Sequence, residues 1–573
     1  MLKRITSDRI ILEVRLLSFL KKAFNFILDL LILGFSAFIA SLAFPSKYIE
    51  NGVPFLAFFY LIPVFYVIWR SKWSTLWLYG AFYGFLFYLF YNYWLETFHP
   101  LAILIAPILE CVQYALLFMC IKLSKTLLKR HYSLLATLLY SAYLYLTQQG
   151  FLAYPYGNIA SALYQYTSLI QIVSVTGIWG LDLIVVLPQV IVSECLYEKE
   201  WRRNKWDLLI SLLILSFTWI GGSFVKKKWE NKESDRVMRI AAIQHSADTW
   251  QGGYRTYKEN FENLKRLTME AMEDNPDMVV WSETAFVPSV AWHSAYPNNV
   301  ATSKLCNDFV SFGSNLGVPL VTGNPEGVIK DKELAPILES GDWNWKTYNT
   351  VILFSDGGIQ EIYRKQHLVP FTEYFPYEKE LPWLYNLLLA NDYKWWEVGE
   401  EATVFEYDGV KFSTPICFED TFGYLSAEFV AKGAQMLLNL SNDFWSMSVQ
   451  AELQHYQLAV FRAVENRVPL LRSTNSGITC LVLTDGTTVG KLDTFTQAWG
   501  IYEVPIYEDK TPTFYTLHPD LFGKLYVELS ISSVVIIAIY DISLMIMEKR
   551  RKKKMEEERL STLFVSMDEK VEC

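Results

Sequence analysis

Hydropathy divides this chain into two kinds of segment. Through the first 225 positions, apolar residues run in long stretches with few charges inside them; from about 230 to 515 they recur in short runs separated by polar turns. Candidate membrane spans are 24–43, 54–70, 74–94, 101–124, 132–148, 169–194 and 206–225, with an eighth at 523–547. Most approach the roughly 20 residues a helix needs to cross the hydrocarbon core, 54–70 and 132–148 being the shortest. The middle of the chain has a different period. Strand-like runs at 238–244, 277–281, 318–322, 349–354, 402–407, 411–417, 435–440, 468–473 and 478–484 are interleaved with helical patterns near 255–273, 302–316, 422–432 and 450–466. In the first of these helices Tyr257, Phe261, Leu264, Leu267 and Ala271 recur near helical spacing. Helices and strands alternate first, and strands then pair through turns such as Ser355-Asp356-Gly357-Gly358, a pattern that predicts a layered α/β domain.

Charge orients the apolar part. Lys3, Arg4, Arg9, Arg15, Lys21 and Lys22 precede the first span, and the connections then alternate. Lys47 is the one basic residue in 44–53, Arg70 and Lys72 lie in 70–73, and 95–100 has none; Lys122, Lys125, Lys129 and Arg130 fill 122–130, 149–168 is uncharged, and 195–205 holds Lys199, Arg202, Arg203 and Lys205. Because basic connections stay in the cytoplasm, the start is expected inside and the region beyond 226 outside, despite Lys226-Lys227-Lys228. The expected organisation is a basic cytoplasmic start (1–23), a seven-helix bundle (24–225), an extracytoplasmic α/β domain (226–515), a final span (523–547) and a charged cytoplasmic tail (548–573).

Composition narrows the function. Hydrophobic residues make up 52% and charged residues 19% of the chain, and the net charge is −9, so a nucleic-acid partner is not expected. Seven cysteines, an odd number without metal-ligand spacing, predict neither a disulfide framework nor a metal site. Cys306, Cys417 and Cys480 fall in the globular part, and Cys417 ends a β-prone run before Phe418-Glu419-Asp420. A thiol at a strand end can act as a nucleophile beside the next backbone N–H. Alone it reads more readily as a small buried hydrophobe. Glu283 and Lys365 also follow strands or turns, and strand ends of a layered sheet converge on one edge. Carboxylate, ammonium and thiol together suffice for acyl transfer, although singly Glu283 reads as a helix cap and Lys365 as a solvated charge.

Trp281-Ser282-Glu283-Thr284-Ala285, Tyr363-Arg364-Lys365-Gln366-His367 continuing to Glu373-Tyr374, and Cys417-Phe418-Glu419 resemble the three catalytic blocks of the nitrilase superfamily. With membrane spans on both sides, and with Leu440-Ser441-Asn442-Asp443-Phe444-Trp445, His455-Tyr456-Gln457 and Arg472-Ser473-Thr474-Asn475, the chain resembles the apolipoprotein N-acyltransferase family within it. The resemblance implies a nitrilase-like αββα sandwich beside about eight membrane helices, with no cofactor. It implies Glu283 as base, Lys365 as oxyanion stabiliser and Cys417 as the nucleophile that carries the acyl group, with Glu373, Phe418, Glu419, Trp250, Asn442 and Trp445 in supporting or binding positions. It also implies a phospholipid acyl donor, a diacylglyceryl lipoprotein acceptor and a catalytic domain on the periplasmic side of a bacterial inner membrane. Phe418 stands where this family often has Tyr, and Ser446 where Gly is common.

The apolar stretch 381–390, with Trp395-Trp396 and Trp343-Asn344-Trp345, predicts a lid that dips into the lipid surface, the alternative being a buried hairpin core. Two other functions use the same fold: a membrane-tethered amidase or nitrilase that passes the acyl group to water, and a non-catalytic lipid-binding scaffold.

Overall fold

The computed structural model describes residues 2–97, 102–249, 251–339, 343–355, 357–390, 395–508 and 511–568. Seven helices precede the sheets: α1 (Leu2–Leu42), α2 (Leu61–Arg70), α3 (Trp73–Tyr91), α4 (Ala102–Leu127), α5 (Tyr132–Leu146), α6 (Val173–Glu198) and α7 (Lys205–Glu230). Among the described residues, five segments are long and apolar enough to cross a membrane: Val14–Leu42, Ile103–Leu127, Leu169–Glu198, Lys205–Glu230 and Leu521–Leu560. The segments Pro54–Arg70 and Tyr132–Leu146 are apolar but shorter. α3 is a 19-residue helix rich in Tyr, Phe and Trp, and it is not among these five segments. Asp29 and Glu110 within these helices are paired: Asp29 meets Arg70 at 3.1 Å and Tyr79, and Glu110 accepts from Tyr143.

The strands are β1 (Arg236–Gln244), β2 (Met278–Trp281), β3 (Leu320–Gly323), β4 (Glu326–Ile329), β5 (Trp345–Tyr348), β6 (Thr350–Ser355), β7 (Gly358–Arg364), β8 (Phe405–Tyr407), β9 (Val410–Ser413), β10 (Met436–Ser441), β11 (Leu470–Thr474), β12 (Cys480–Val482), β13 (Thr488–Val489) and β14 (Ala498–Ile506). Between and after them lie α8 (Tyr254–Met272), α9 (Val290–Ala295), α10 (Val300–Ser314), α11 (Pro382–Leu389), α12 (Gly423–Ala431), α13 (Val449–Asn466), α14 (Phe514–Leu517) and α15 (Leu521–Asp568).

Two six-stranded sheets form, in the orders β14-β1-β2-β3-β6-β7 and β13-β12-β11-β10-β9-β8, with β4 and β5 as a separate ribbon. Alternation along β1 sets the layers. Ala241 and Ile243 point outward onto Phe261, Leu264 and Leu267 of α8, while Met238, Ile240 and Ala242 point into the core shared with the second sheet. α8 and α10 cover the first sheet, and α12 and α13 cover the second, which gives the αββα order. The centre of each sheet is parallel, β1-β2-β3 in one and β9-β10-β11 in the other, so their carboxyl ends gather at one edge.

Two local departures from the sequence pattern have physical causes. The strand expected to run to Cys417 stops at Ser413, because Pro415 offers no N–H to a ladder and Ile416 pairs only through an isolated bridge to Leu440. β14 was not apparent from sequence: Gly500 and Pro505 interrupt its pattern, and the fold tolerates them because β14 is an edge strand.

α13 joins the sandwich to the helical region. All residues from Ala451 to Asn466 are buried, since one face lies on β11 and the other on α6. Gln454 keys the seam: its amide donates to Pro45 O at 2.8 Å and Tyr91 O at 3.1 Å, and its oxygen accepts from Trp94 Nε1 at 2.9 Å. Replacing Gln454 by Leu strands these three groups, so thermal unfolding of the detergent-solubilised protein should fall by the equivalent of roughly 2–4 kcal/mol. An unchanged midpoint would show that Gln454 does not hold the seam.

Candidate active site

Glu283 and Cys417 follow the parallel strands β2 and β9, whereas Lys365 follows β7, the antiparallel edge strand of the first sheet. Glu283 is two residues beyond β2 and 5% exposed, and Gly323 lies so close that a Cβ there would fall 2.7 Å from Glu283 Cα. Lys365 follows β7 and is 0% exposed. Its ammonium donates to Glu373 Oε1 at 2.8 Å and lies 3.5 Å from Glu283 Oε1. The second oxygen of Glu373 accepts from Val369 N at 2.8 Å, which closes the loop around the lysine. Asn349 Nδ2 donates to Glu283 Oε1 at 2.7 Å, and the backbone N–H of Asn442 donates to Oε2 at 2.9 Å.

Cys417 opens a short 3-10 turn, Cys417–Thr421, with a left-handed φ of 50°. A non-glycine residue in that region is strained and needs support from its surroundings. Glu419 supplies it. Its carboxylate accepts from Ile416 N at 2.7 Å, from Gln366 N and His367 N at 2.7 and 3.0 Å, and from the Tyr363 hydroxyl at 2.8 Å. One side chain thus fastens the loop after Lys365 to the residue before Cys417. Phe418 stacks on Tyr156 of the helical region with rings 6.3 Å apart, and Trp445 packs against Trp94 at 5.8 Å. The Asn442 side chain donates to Thr249 Oγ1 at 2.7 Å and accepts from Asn475 Nδ2 at 2.8 Å. Trp250 lies outside the described residues. Cys306 and Cys480 are buried, whereas Cys417 is partly exposed.

Electrostatics divide the roles. Burial, then the carboxylates of Glu283 and Asp443, push the Cys417 thiol well above its ordinary range against the pull of Lys365, so at rest it keeps its proton. Burial also raises Glu283, which makes it a better proton acceptor than a solvated carboxylate. Burial works against the Lys365 charge, but Glu373 and Glu283 outweigh it and hold the ammonium above its usual range.

Beneath the sulfur lies a buried charged group that sequence reasoning did not assign. Asp443 Oδ1 meets Cys417 Sγ at 3.8 Å, and His455 bridges Asp443 Oδ2 at 2.9 Å and Asp420 Oδ1 at 2.8 Å. Arg472, 0% exposed, pairs with the other Asp420 oxygen. Carboxylates at both ring nitrogens require His455 to be the doubly protonated cation. Burial lowers its affinity for the proton, yet Asp443 and Asp420 overcome this and push it up to about 9. Burial alone would raise Asp443, but His455 and Arg472 hold it well below the usual carboxylate range. Asn349, Asp420, Asp443, His455 and Arg472 carry signals readable only in retrospect, as polar residues inside otherwise apolar strands, turns and a helix.

Residues 239–508 match the carbon-nitrogen hydrolase family model, and residues 36–191 match the apolipoprotein N-acyltransferase N-terminal domain model. The sandwich and its strand-end residues therefore define a carbon-nitrogen hydrolase fold joined to a region of apolar helices. The chain is 36% identical over 516 residues, 87% of its length and 94% of the relative's, to apolipoprotein N-acyltransferase 1 of Treponema denticola. It is 34% identical over 496 residues to apolipoprotein N-acyltransferase 1 of Treponema pallidum, covering 83% of this chain and 89% of the relative. A mutant of the Nesterenkonia AN1 amidase from the nitrilase superfamily superposes with a TM-score of 0.35 at 18% identity, covering 52% of this chain and 98% of that one. This chain belongs to the apolipoprotein N-acyltransferase family.

The His455 shift sets a pH dependence. A ring raised from 6.5 to about 9 in the folded state adds stability that is complete below about 6.5 and is lost as pH rises through about 9. Thermal unfolding should therefore show a loss on the order of 3 kcal/mol over that window. His455→Gln should flatten the slope, and an equal slope in both proteins would refute the assignment.

Proposed function

We propose that the protein transfers an acyl chain from a phospholipid to the amino-terminal amine of a diacylglyceryl-cysteine lipoprotein, in two steps through a thioester on Cys417. The observation that carries this reading is that Glu283 and Lys365, after β2 and β7 of one sheet, act electrostatically on Cys417, after β9 of the other, in a chain related to the family over both its helical and its sandwich parts. In the first step Glu283 takes the thiol proton and Sγ attacks the ester carbonyl carbon. The carbonyl oxygen becomes an oxyanion held by the Lys365 ammonium and the Phe418 N–H, which stands at the start of a 3-10 turn where backbone donors have no partner within the turn. The ester C–O bond breaks, and Glu283 returns the proton to the departing lysophospholipid oxygen. In the second step the amine attacks the thioester and the sulfur leaves, which makes the kinetics ping-pong.

Glu373 and Glu419 act by positioning, the first through Lys365 and the second through the loop that carries it. Asn442 holds Glu283, and Trp445 continues the aromatic wall toward the helical region. α11 supports a lipid substrate: each of its residues is exposed or half-buried, with Trp383 65% and Leu387 53% exposed, as a lid dipping into lipid requires and a buried hairpin does not. Trp343 belongs to another cluster, stacked on Trp292 and edge-on to Trp345. Charge alternation in the connections supports the layout 1–23, 24–225, 226–515, 523–547 and 548–573, with eight spans and the sandwich on the periplasmic side of a bacterial inner membrane.

The test is acylation of a diacylglyceryl-cysteinyl peptide by the purified protein with phospholipid as donor. Cys417→Ala should abolish both lysophospholipid release and peptide acylation, and Glu283→Gln and Lys365→Ala should each cut lysophospholipid release by on the order of 100-fold or more. Free fatty acid without acylated peptide would make the protein a hydrolase instead.

A further inference from the structure

Two carboxylates border the Cys417 sulfur, and the two-step reading employs only Glu283. The oxygens of the other, Asp443, are not equivalent. Oδ2 accepts from Ser441 Oγ at 3.0 Å and faces His455 Nδ1 at 2.9 Å, with Arg472 Nη2 at 3.9 Å. Glu452 approaches on that side too: a Cβ on Gly477 would fall 2.2 Å from Glu452 Oε2 and 3.4 Å from Asp443 Oδ2. Oδ1 has the Cys417 thiol, at 3.8 Å, as its single hydrogen-bonded atom among the described residues.

Acylation removes that partner. A thioester has no S–H, so in the acyl-enzyme Oδ1 becomes a carboxylate oxygen, on a residue only 5% exposed, that faces the acyl sulfur without a donor. Leaving such an oxygen unpaired is costly, and a charged donor answers it better than a neutral one. Water would bring a single neutral hydrogen bond. A protonated primary amine brings hydrogen bonds and the opposite charge.

We propose that Asp443 Oδ1 receives the ammonium group of the second substrate and holds it beside the thioester, so that transfer to an amine outruns hydrolysis. This assignment rests on the two-step reading. The ammonium first gives one proton to Glu283, which became a carboxylate again when the lysophospholipid left. The nitrogen then attacks the thioester carbonyl carbon, and the C–S bond breaks with its electron pair going to sulfur. Of the two hydrogens left on nitrogen, one goes to the sulfur and one remains on the new amide; the proton on Glu283 passes to solvent. Asp443 stays ionised throughout and acts as a catalytic residue through contact with the reacting amine.

The experiment uses full-length protein loaded with an acyl group from phospholipid, and follows loss of the adduct by intact mass. Methylamine, a cation near pH 7, is compared with hydroxylamine, which is mostly neutral there. Asp443→Asn should slow discharge by methylamine roughly tenfold or more while leaving hydroxylamine nearly unaffected. Equal effects on both nucleophiles, or on neither, would overturn the proposal while the two-step reading stands. A wild-type protein that never forms the adduct would remove the two-step reading and this assignment with it. The wild type gives a second test that does not depend on the variant folding. An acceptor peptide with a dimethylated amino group still offers N–H and charge, whereas one with a hydroxyl in its place does not. The first should inhibit transfer about tenfold more strongly than the second, and equal inhibition would overturn the proposal.

Discussion

The constraint on which this structure depends is a lysine ammonium with no access to water. Lys365 is fully buried, and a charge in that position is tolerated only when paired and hydrogen-bonded. Its partners come from two places, Glu373 in the loop it begins and Glu283 at the end of β2. Removing either would leave part of a buried charge uncompensated, so the pairing ties the β2 end to the loop after β7 without any covalent link. Glu419 extends the tie to the third segment by gathering backbone donors from both the lysine loop and the residue before Cys417. The left-handed backbone at Cys417 persists because its surroundings are fixed in this way.

The sulfur lies between carboxylates whose surroundings drive them apart in acidity. Burial raises Glu283, whereas His455 and Arg472 hold Asp443 in its charged form. One carboxylate can therefore exchange a proton and the other cannot. The same region faces the apolar helices. Tyr154, Tyr156 and Phe418 form a run of stacked rings from the helical region to the residue beside Cys417, and α13 carries both His455 and the seam residue Gln454. Site and membrane region are thus joined through one buried helix.

Residues placed by strand ends were legible in the sequence, because an apolar run followed by an isolated polar residue marks a sheet edge whatever the rest of the fold does. Glu283, Lys365 and Cys417 were found that way, and the loop partners Glu373 and Glu419 by motif. The network beneath the sulfur was not. His455 meets Asp443 and Asp420 only because α13 packs on the strand ends of the second sheet, and Arg462 bonds Thr421 O and Glu465, pairings that the helix's own periodicity does not encode. Asn349 and Asp443 find Glu283 and Cys417 through space, across 66 and 26 residues, which periodicity does not encode. Pro415 ended its strand four residues early for a local reason that was present in the sequence and outweighed there by the β-prone run around it.

The most direct measurement is intact-mass and peptide analysis of the protein taken from membranes. The account predicts an acyl-sized increment on the peptide that contains Cys417, released by hydroxylamine and absent from Cys417→Ala. Unmodified Cys417 under conditions in which the protein is turning over phospholipid, or an acyl group on any other residue, would contradict it.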